Sequence, residues 1–234
     1  MRGSPMATPP ERWPSKPVKP KNWQAKALEP TPYNPLELDN LGRSVELELL
    51  KHTPERLDSI AIMKGAGVYA LYYTGSHPLY QAIRGTERPI YVGQARPVGT
   101  RKGNADPSKI GCPLWDRLGE HRISIEQVED LNITDFKVRY LVAIEAFVSL
   151  AERVMIKDAR PVWNSVIDGF GNHDPGAERR RTGKRPPWDE LHPGRWWSHP
   201  HHMPTPSLMS PEQSRQRIAA HFAGETVEVV ESEA

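Results

Sequence analysis

The sequence predicts an α+β (α/β) fold, with a small central mixed sheet flanked by helices. Three observations lead there. Val68-Tyr69-Ala70-Leu71-Tyr72-Tyr73 and Pro89-Ile90-Tyr91-Val92-Gly93 are short runs of β-forming residues bounded by turn residues. Residues 136–142 alternate apolar and polar side chains, as a half-buried strand does. Two segments with helical periodicity, 113–125 and 145–159, give the order strand, strand, helix, strand, helix, which packs helices on a sheet.

Taken in order, residues 1–36 are rich in proline and lysine and carry no hydrophobic period, so an extended or disordered arm is expected. Residues 44–51 place Val45 and Leu49 at helical spacing and predict a short helix. Residues 64–67 (KGAG) signal a turn before the first strand, and Thr74-Gly75 ends it. Residues 94–111 form a polar, basic loop of a length that implies function or disorder. Pro113 suits the first position of a helix that puts Leu114, Leu118 and Ile125 on one face. The helix over 145–159 carries Phe147, Leu150, Ala151, Val154 and Met155 on its expected buried stripe, and Pro161 stops it. From 171 the chain reads as irregular, with one helix near 211–222.

Composition bounds the function. At 37% hydrophobic and 26% charged residues the chain reads as soluble, and no apolar run is long enough to span a bilayer. No membrane partner and no secretory leader are expected. Cys112 is the single cysteine, which excludes an internal disulfide, suits a cytoplasmic location and reads as a packing residue. The net charge of +2 hides local basic stretches: residues 93–122 carry six basic groups against three acidic ones, and 176–195 repeat that ratio. Such stretches suit a polyanion, although each alone also reads as a solvated face. His199, His201 and His202 lack the spacing of a structural zinc site and read as an exposed, proline-bounded loop.

Six residues are candidates for chemistry: Tyr69, Tyr91, Arg117, His121, Glu152 and Asn164. Arg117 and His121 are four apart and share a helix face, on the flank of the Leu114/Leu118 stripe. Glu152 sits off the apolar stripe of its own helix, where it can line a cleft edge. Hydrolysis of a phosphodiester needs such a set. A carboxylate holds a hard cation through oxygen. The cation and a guanidinium stabilise charge growing on the phosphoryl oxygens. A titratable group takes a proton from the attacking water. Singly, each has a plainer reading: a strand tyrosine packs, a helical Arg or Glu is solvated, a lone His beside an apolar stripe is structural.

Gly67-Val68-Tyr69 followed by Tyr91-Val92-Gly93 resembles the signature pair of the GIY-YIG nuclease superfamily, with Val for Ile in both halves. That family then expects an Arg, a His four residues later, a helical Glu and a downstream Asn; Arg117, His121, Glu152 and Asn164 stand in that order. Residues 65–75 (GAGVYALYYTG), 162–173 (VWNSVIDGFGNH) and His192-Pro193-Gly194-Arg195 are similar to the restriction enzymes of this superfamily that cut the palindrome CCGCGG. The gap between Tyr69 and Tyr91, and the loop after it, exceed those of the minimal superfamily module.

The resemblance implies a site-specific double-strand DNA endonuclease, a type II restriction enzyme acting at a GC-only palindrome. It implies an arm over 1–36, a GIY-YIG nuclease domain with DNA-binding insertions over 37–200, and a C-terminal extension over 201–234. It implies one Mg2+, for which Mn2+ can substitute, held by Glu152; charge neutralisation by Arg117; Tyr69 as candidate general base with His121 as helper or relay; and Tyr91 and Asn164 orienting the phosphate and the metal shell. A palindromic target calls for a homodimer on double-stranded DNA. Arg96, Arg101, Lys102, Arg179, Arg180 and Arg181 are the DNA-binding candidates, since bidentate arginines suit guanine. Two rivals are a homing or repair nuclease, which would carry a separate DNA-binding domain not obvious after Asn164, and a non-catalytic DNA-binding protein on the same scaffold.

Overall fold

The computed structural model describes residues 33–97 and 111–225. The chain divides into a segment Met1–Tyr33 and a unit Asn34–Ala234, and the fold described below is that of the second. Arg101, Lys102 and nearly all of the arm over 1–36 lie outside the described residues.

The elements are α1 (Leu38–Leu50), β1 (Glu55–Arg56), β2 (Gly67–Tyr73), β3 (Tyr91–Ala95), α2 (Pro113–Glu126), β4 (Phe136–Val142), α3 (Glu145–Ala159), α4 (Val162–Ser165), α5 (Ala177–Thr182), α6 (Pro187–Leu191) and α7 (Pro211–Ala223). The strands form one sheet in the order β1-β4-β2-β3, with every pairing antiparallel. The sheet is therefore not the mixed one expected. The reason is topological: β3 and β4, joined by the crossover through α2, run the same way, but β2 lies between them and they never pair.

β2 is buried along its whole length because both faces are covered. Tyr69, Leu71 and Tyr73 point into one cluster, with Leu114, Leu118 and Ile125 of α2 and with Trp163, Phe170 and Trp188. Val68, Ala70 and Tyr72 point into a second, with Leu49 of α1 and with Val148, Ala151 and Met155 of α3. The alternation of side chains along a strand makes this division. The protein has three layers: α1 and α3, the sheet, then α2 with the C-terminal segments.

Several elements differ from their expected bounds. Helix α1 begins six residues before the expected start, running through Gly42. A Cβ at Gly42 would stand 2.7 Å from the Leu150 carbonyl, so this glycine lets α1 lie close on α3 rather than ending the helix. On α3, Val148 is buried while Phe147 and Leu150 are half-buried. α3 runs as expected to Ala159, where Arg160 adopts a left-handed φ of 44° ahead of Pro161. The segment after 171 is not irregular: it holds α5, α6 and a 3-10 turn Trp196–Ser198 before α7. Helix α7 opens with a capping box between Ser210 and Gln213 and buries Ile218 against the first cluster. No helix among the described residues is long and apolar enough to cross a membrane.

Candidate active site

Strand β2 supplies Tyr69, and its partner strand β3 supplies both the glycine that makes room for it and the second tyrosine. Tyr69 pairs in register with Gly93, and a Cβ at Gly93 would fall 2.3 Å from the Tyr69 hydroxyl. The hydroxyl reaches His121 Nε2 at 2.5 Å. His121 lies one turn after Arg117 on α2 and stacks on Phe170 with ring centroids 4.6 Å apart. The Tyr91 ring stands 5.2 Å from the His121 ring and 4.9 Å from Phe170.

Arg117 reaches across this group. Its Nη2 donates to the Gly171 carbonyl at 2.6 Å, and its Nη1 donates to Glu120 Oε2 at 2.7 Å. Glu120, Gly171 and His173 were not among the expected site residues. Glu120 was legible as an i+3 neighbour of Arg117; the 171–173 loop carried no signal of its own beyond its likeness to the family.

Burial separates the proton affinities of the site. It drives the Tyr69 phenol well above 10, helped by Tyr91 and opposed by Arg117. Tyr91 is raised in the same way, against the pull of Arg117. His121 lies well below 6.5, because it is buried and because Arg117, His173 and Arg195 are near. It is therefore a neutral imidazole whose Nε2 can accept a hydrogen bond from the Tyr69 hydroxyl. Glu152, on α3, is pushed up to about 7 by burial, with Arg96, Arg117 and a hydrogen bond from the Gln94 backbone pulling the other way. Tyr69, Tyr91 and His121 pack together, and Arg117 and Glu152 lie near enough to shift the tyrosines.

Asn164 takes a different post. Its Oδ1 accepts from the Val92 N–H and its Nδ2 donates to the Val92 carbonyl, both at 2.8 Å. The side chain acts as an extra strand edge that clamps α4 to β3, and so fixes Tyr91. Each end of its amide makes one bond there, which leaves one lone pair and one N–H for other partners.

Glu152 fits a hard divalent cation. A single half-buried carboxylate with an unfavourable charge gains from a cation beside it, and Mg2+ commonly takes one or two carboxylates with water and substrate phosphate completing its shell. A second cluster, His77, Asp130 and His192, also brings three donor atoms within 4.8 Å of one another. Its hydrogen bonds assign it to the fold. The Leu79 N–H donates to His77 Nδ1, so the His77 proton sits on Nε2, 3.4 Å from Asp130. Trp163 Nε1 donates to the Tyr80 hydroxyl, which in turn meets His192 Nε2, leaving His192 Nδ1 to donate to Asp130 at 2.8 Å. Each proton has one acceptor, and the chain ties α6 to the core.

Arg195 was counted in a basic run, yet it is buried. It pairs with Asp189, donates to the carbonyls of Gly169, Phe170 and Asn172, and lies between the Trp188 and Trp197 rings, with 4.7 Å and 4.6 Å to their centroids. It thereby holds the loop whose next carbonyl, Gly171, receives Arg117. Of the DNA-binding candidates, Arg96 is exposed and close enough to favour the Glu152 charge. Arg180 is held by Asp174 at 2.7 Å and stacks on Trp196; Arg181 pairs with Glu178. Arg179 is exposed on α5. His199, His201 and His202 form an exposed turn, and Cys112 is half-buried at the N-cap of α2.

Residues 61–222 match the family model described as the Eco29kI GIY-YIG domain. No curated protein matches the chain.

Proposed function

The chain belongs to the Eco29kI GIY-YIG domain family, a family of restriction-type nucleases, and from that premise we propose that it is a type II restriction endonuclease acting as a homodimer on double-stranded DNA. The observation that carries the proposal is the buried Tyr69–His121 hydrogen bond, with Arg117 and Glu152 both near enough to act on the Tyr69 phenol.

The residues divide the reaction as follows. Tyr69 faces the attacking water, and its own proton passes to neutral His121 as the water proton passes to Tyr69. A free phenol has a pKa of about 10 and is a poor base unaided; the 2.5 Å contact to an imidazole that starts unprotonated supplies the aid. An anionic phosphodiester entering the site raises the affinity of His121 for that proton. Arg117 neutralises charge on the phosphoryl oxygens as the bond to the leaving oxygen breaks. Tyr91 packs beside Tyr69 and His121, and Asn164 clamps the next residue of β3, Val92. Glu152 would hold one Mg2+, or Mn2+ in its place, and such an ion supplies charge stabilisation at the phosphoryl and leaving oxygens.

Likeness of residues 65–75, 162–173 and 192–195 to the enzymes that cut CCGCGG supports a GC-only palindrome of that sequence. Arg96 and Arg179 are exposed, which suits them for contact with DNA; Arg180 and Arg181 would first leave their carboxylates. Arg101 and Lys102 stay candidates on sequence alone. The lone Cys112 suits the reducing cytoplasm. Digestion of a plasmid in Mg2+ buffer, compared with gel-shift binding in EDTA and followed by sequencing of the ends, tests the reading. Linear product with uniform ends within CCGCGG is expected; binding with no cutting would reject the enzyme.

A further inference from the structure

Three groups converge on one edge of the Arg117 guanidinium. Nη1 donates to Glu120 and stands 2.7 Å from His173 Nε2, while Nη2 donates to the Gly171 carbonyl. His173 Nδ1 in turn lies 3.3 Å from the same Glu120 oxygen. Nη1 also lies 3.3 Å from His173 Nδ1, the longer of its two contacts with the ring. A guanidinium only donates, so the closer ring nitrogen, Nε2, accepts in the tautomer that carries its proton on Nδ1, the nitrogen 3.3 Å from the carboxylate.

We infer that the His173–Glu120 pair positions the Arg117 guanidinium for the phosphoryl group, an assignment that rests on the nuclease reading of the same site. Arg117 has a long, rotatable stem, and a donor fork contributes to a transition state only when it is aimed in advance. His173 and Gly171 hold Nη1 and Nη2, and Tyr69 and Tyr91 lie near enough to act on the same guanidinium. The loop is close-fitting: a Cβ at Gly171 would stand 2.5 Å from the Tyr91 hydroxyl and 3.4 Å from Arg117 Nη2. Glu120 stands 3.3 Å from His173 Nδ1, where its charge favours a proton on that nitrogen, and it also partly balances the Arg117 charge until DNA arrives. The ring is exposed, but its partial desolvation and then Arg117 hold the His173 pKa down, with Glu120 opposing and Arg195 assisting, which favours the accepting form. His173 does not touch the reacting atoms and is a positioning residue.

The test is a mutant cycle in single-turnover cleavage of a duplex with Mg2+, with duplex affinity measured in EDTA. His173→Ala should slow cleavage by about 10- to 100-fold with affinity unchanged. His173→Gln, whose amide oxygen can accept the same bond, should recover most of the rate. Arg117→Ala combined with His173→Ala should cut no more slowly than Arg117→Ala alone, because nothing is left to position. Should His173→Ala fail to fold, His173→Phe keeps the ring, lacks the acceptor and serves in the same cycle. Cleavage at the wild-type rate in the single variant, or losses that simply add, would overturn the assignment. A wild-type protein that leaves the duplex uncut would instead overturn the nuclease reading beneath it.

Discussion

At Glu152, catalysis and stability pull in opposite directions. Burial raises its pKa from 4.5 to about 7 in the folded protein. Through that window the folded state keeps a proton that the unfolded chain has released, so stability falls as pH rises. Without metal, Glu152→Gln should therefore melt higher than wild type at pH 8, with the gap closing toward pH 4. Calorimetry in EDTA checks this; a wild-type protein as stable as the variant at pH 8 would refute the buried charge. The same variant should bind duplex and not cut it, since binding rests on contacts elsewhere. Arg117→Ala should lower the cleavage rate by about 10²–10³ or more, the scale of losing one preorganised donor. Arg117→Lys should recover only part, because an ammonium cannot meet Glu120, Gly171 and a phosphate together. A change confined to the salt dependence of binding would move Arg117 to the DNA-positioning set.

Among the elements, β3 is where sequence and geometry meet most tightly. Gly93 faces a tyrosine with no room to retreat, since Tyr69 is fully buried. Gly93→Ala should therefore leave the secondary structure intact by circular dichroism and cut the rate by about 10²-fold, through displacement of the hydroxyl from His121. Normal cleavage by this variant would show that the phenol need not sit there. Helices α2 and α3 were legible because Pro113 and Pro161 punctuate strong helical periods. The start of α1 was not, because Gly42 in a sequence reads as a breaker and only the neighbouring helix reveals its use. β1, α5 and α6 are shorter than any window in which a period shows. In the site, the i, i+4 spacing of Arg117 and His121 placed them correctly on one face. The clamp of Asn164 on Val92 and the burial of Arg195 depend on partners far along the chain. A count of charges had put Arg195 in a solvated run; the Trp188 and Trp197 rings that enclose it carry no local mark of doing so.

At the scale of the molecule, a palindromic site asks for two-fold symmetry in what reads it. Trp188 and Trp197 are buried in the protein's own core and are not free for an interface, whereas Trp196 is half-exposed beside Arg180. Sedimentation with a duplex bearing one CCGCGG site should show two chains per duplex. A strict one-to-one complex giving nicked product would reject the homodimer. The C-terminal segments are also expected to matter for the whole fold. Arg195→Met leaves Asp189 buried without its partner and three carbonyls without a donor, a loss of about 3–5 kcal/mol by comparison with other broken buried pairs. Urea unfolding measures it, and a loss under about 1 kcal/mol, the scale of a surface pair, would refute the keystone role.

The position of Arg195 also sets a schedule. Chains leave the ribosome amino end first, so every member of the six-residue candidate set emerges before the guanidinium that pins the Gly169–Asn172 carbonyls. A growing chain thus carries all the reactive groups of a nuclease while the loop that aims one of them is still slack. Activity is expected to switch on at a definite length rather than to grow with it. Nascent chains stalled just short of Arg195 should leave DNA whole, and chains extended through α7 and clear of the exit tunnel should cut it. In that sense the segment that carries Arg195 is expected to act as a safety catch on the reactive groups made before it.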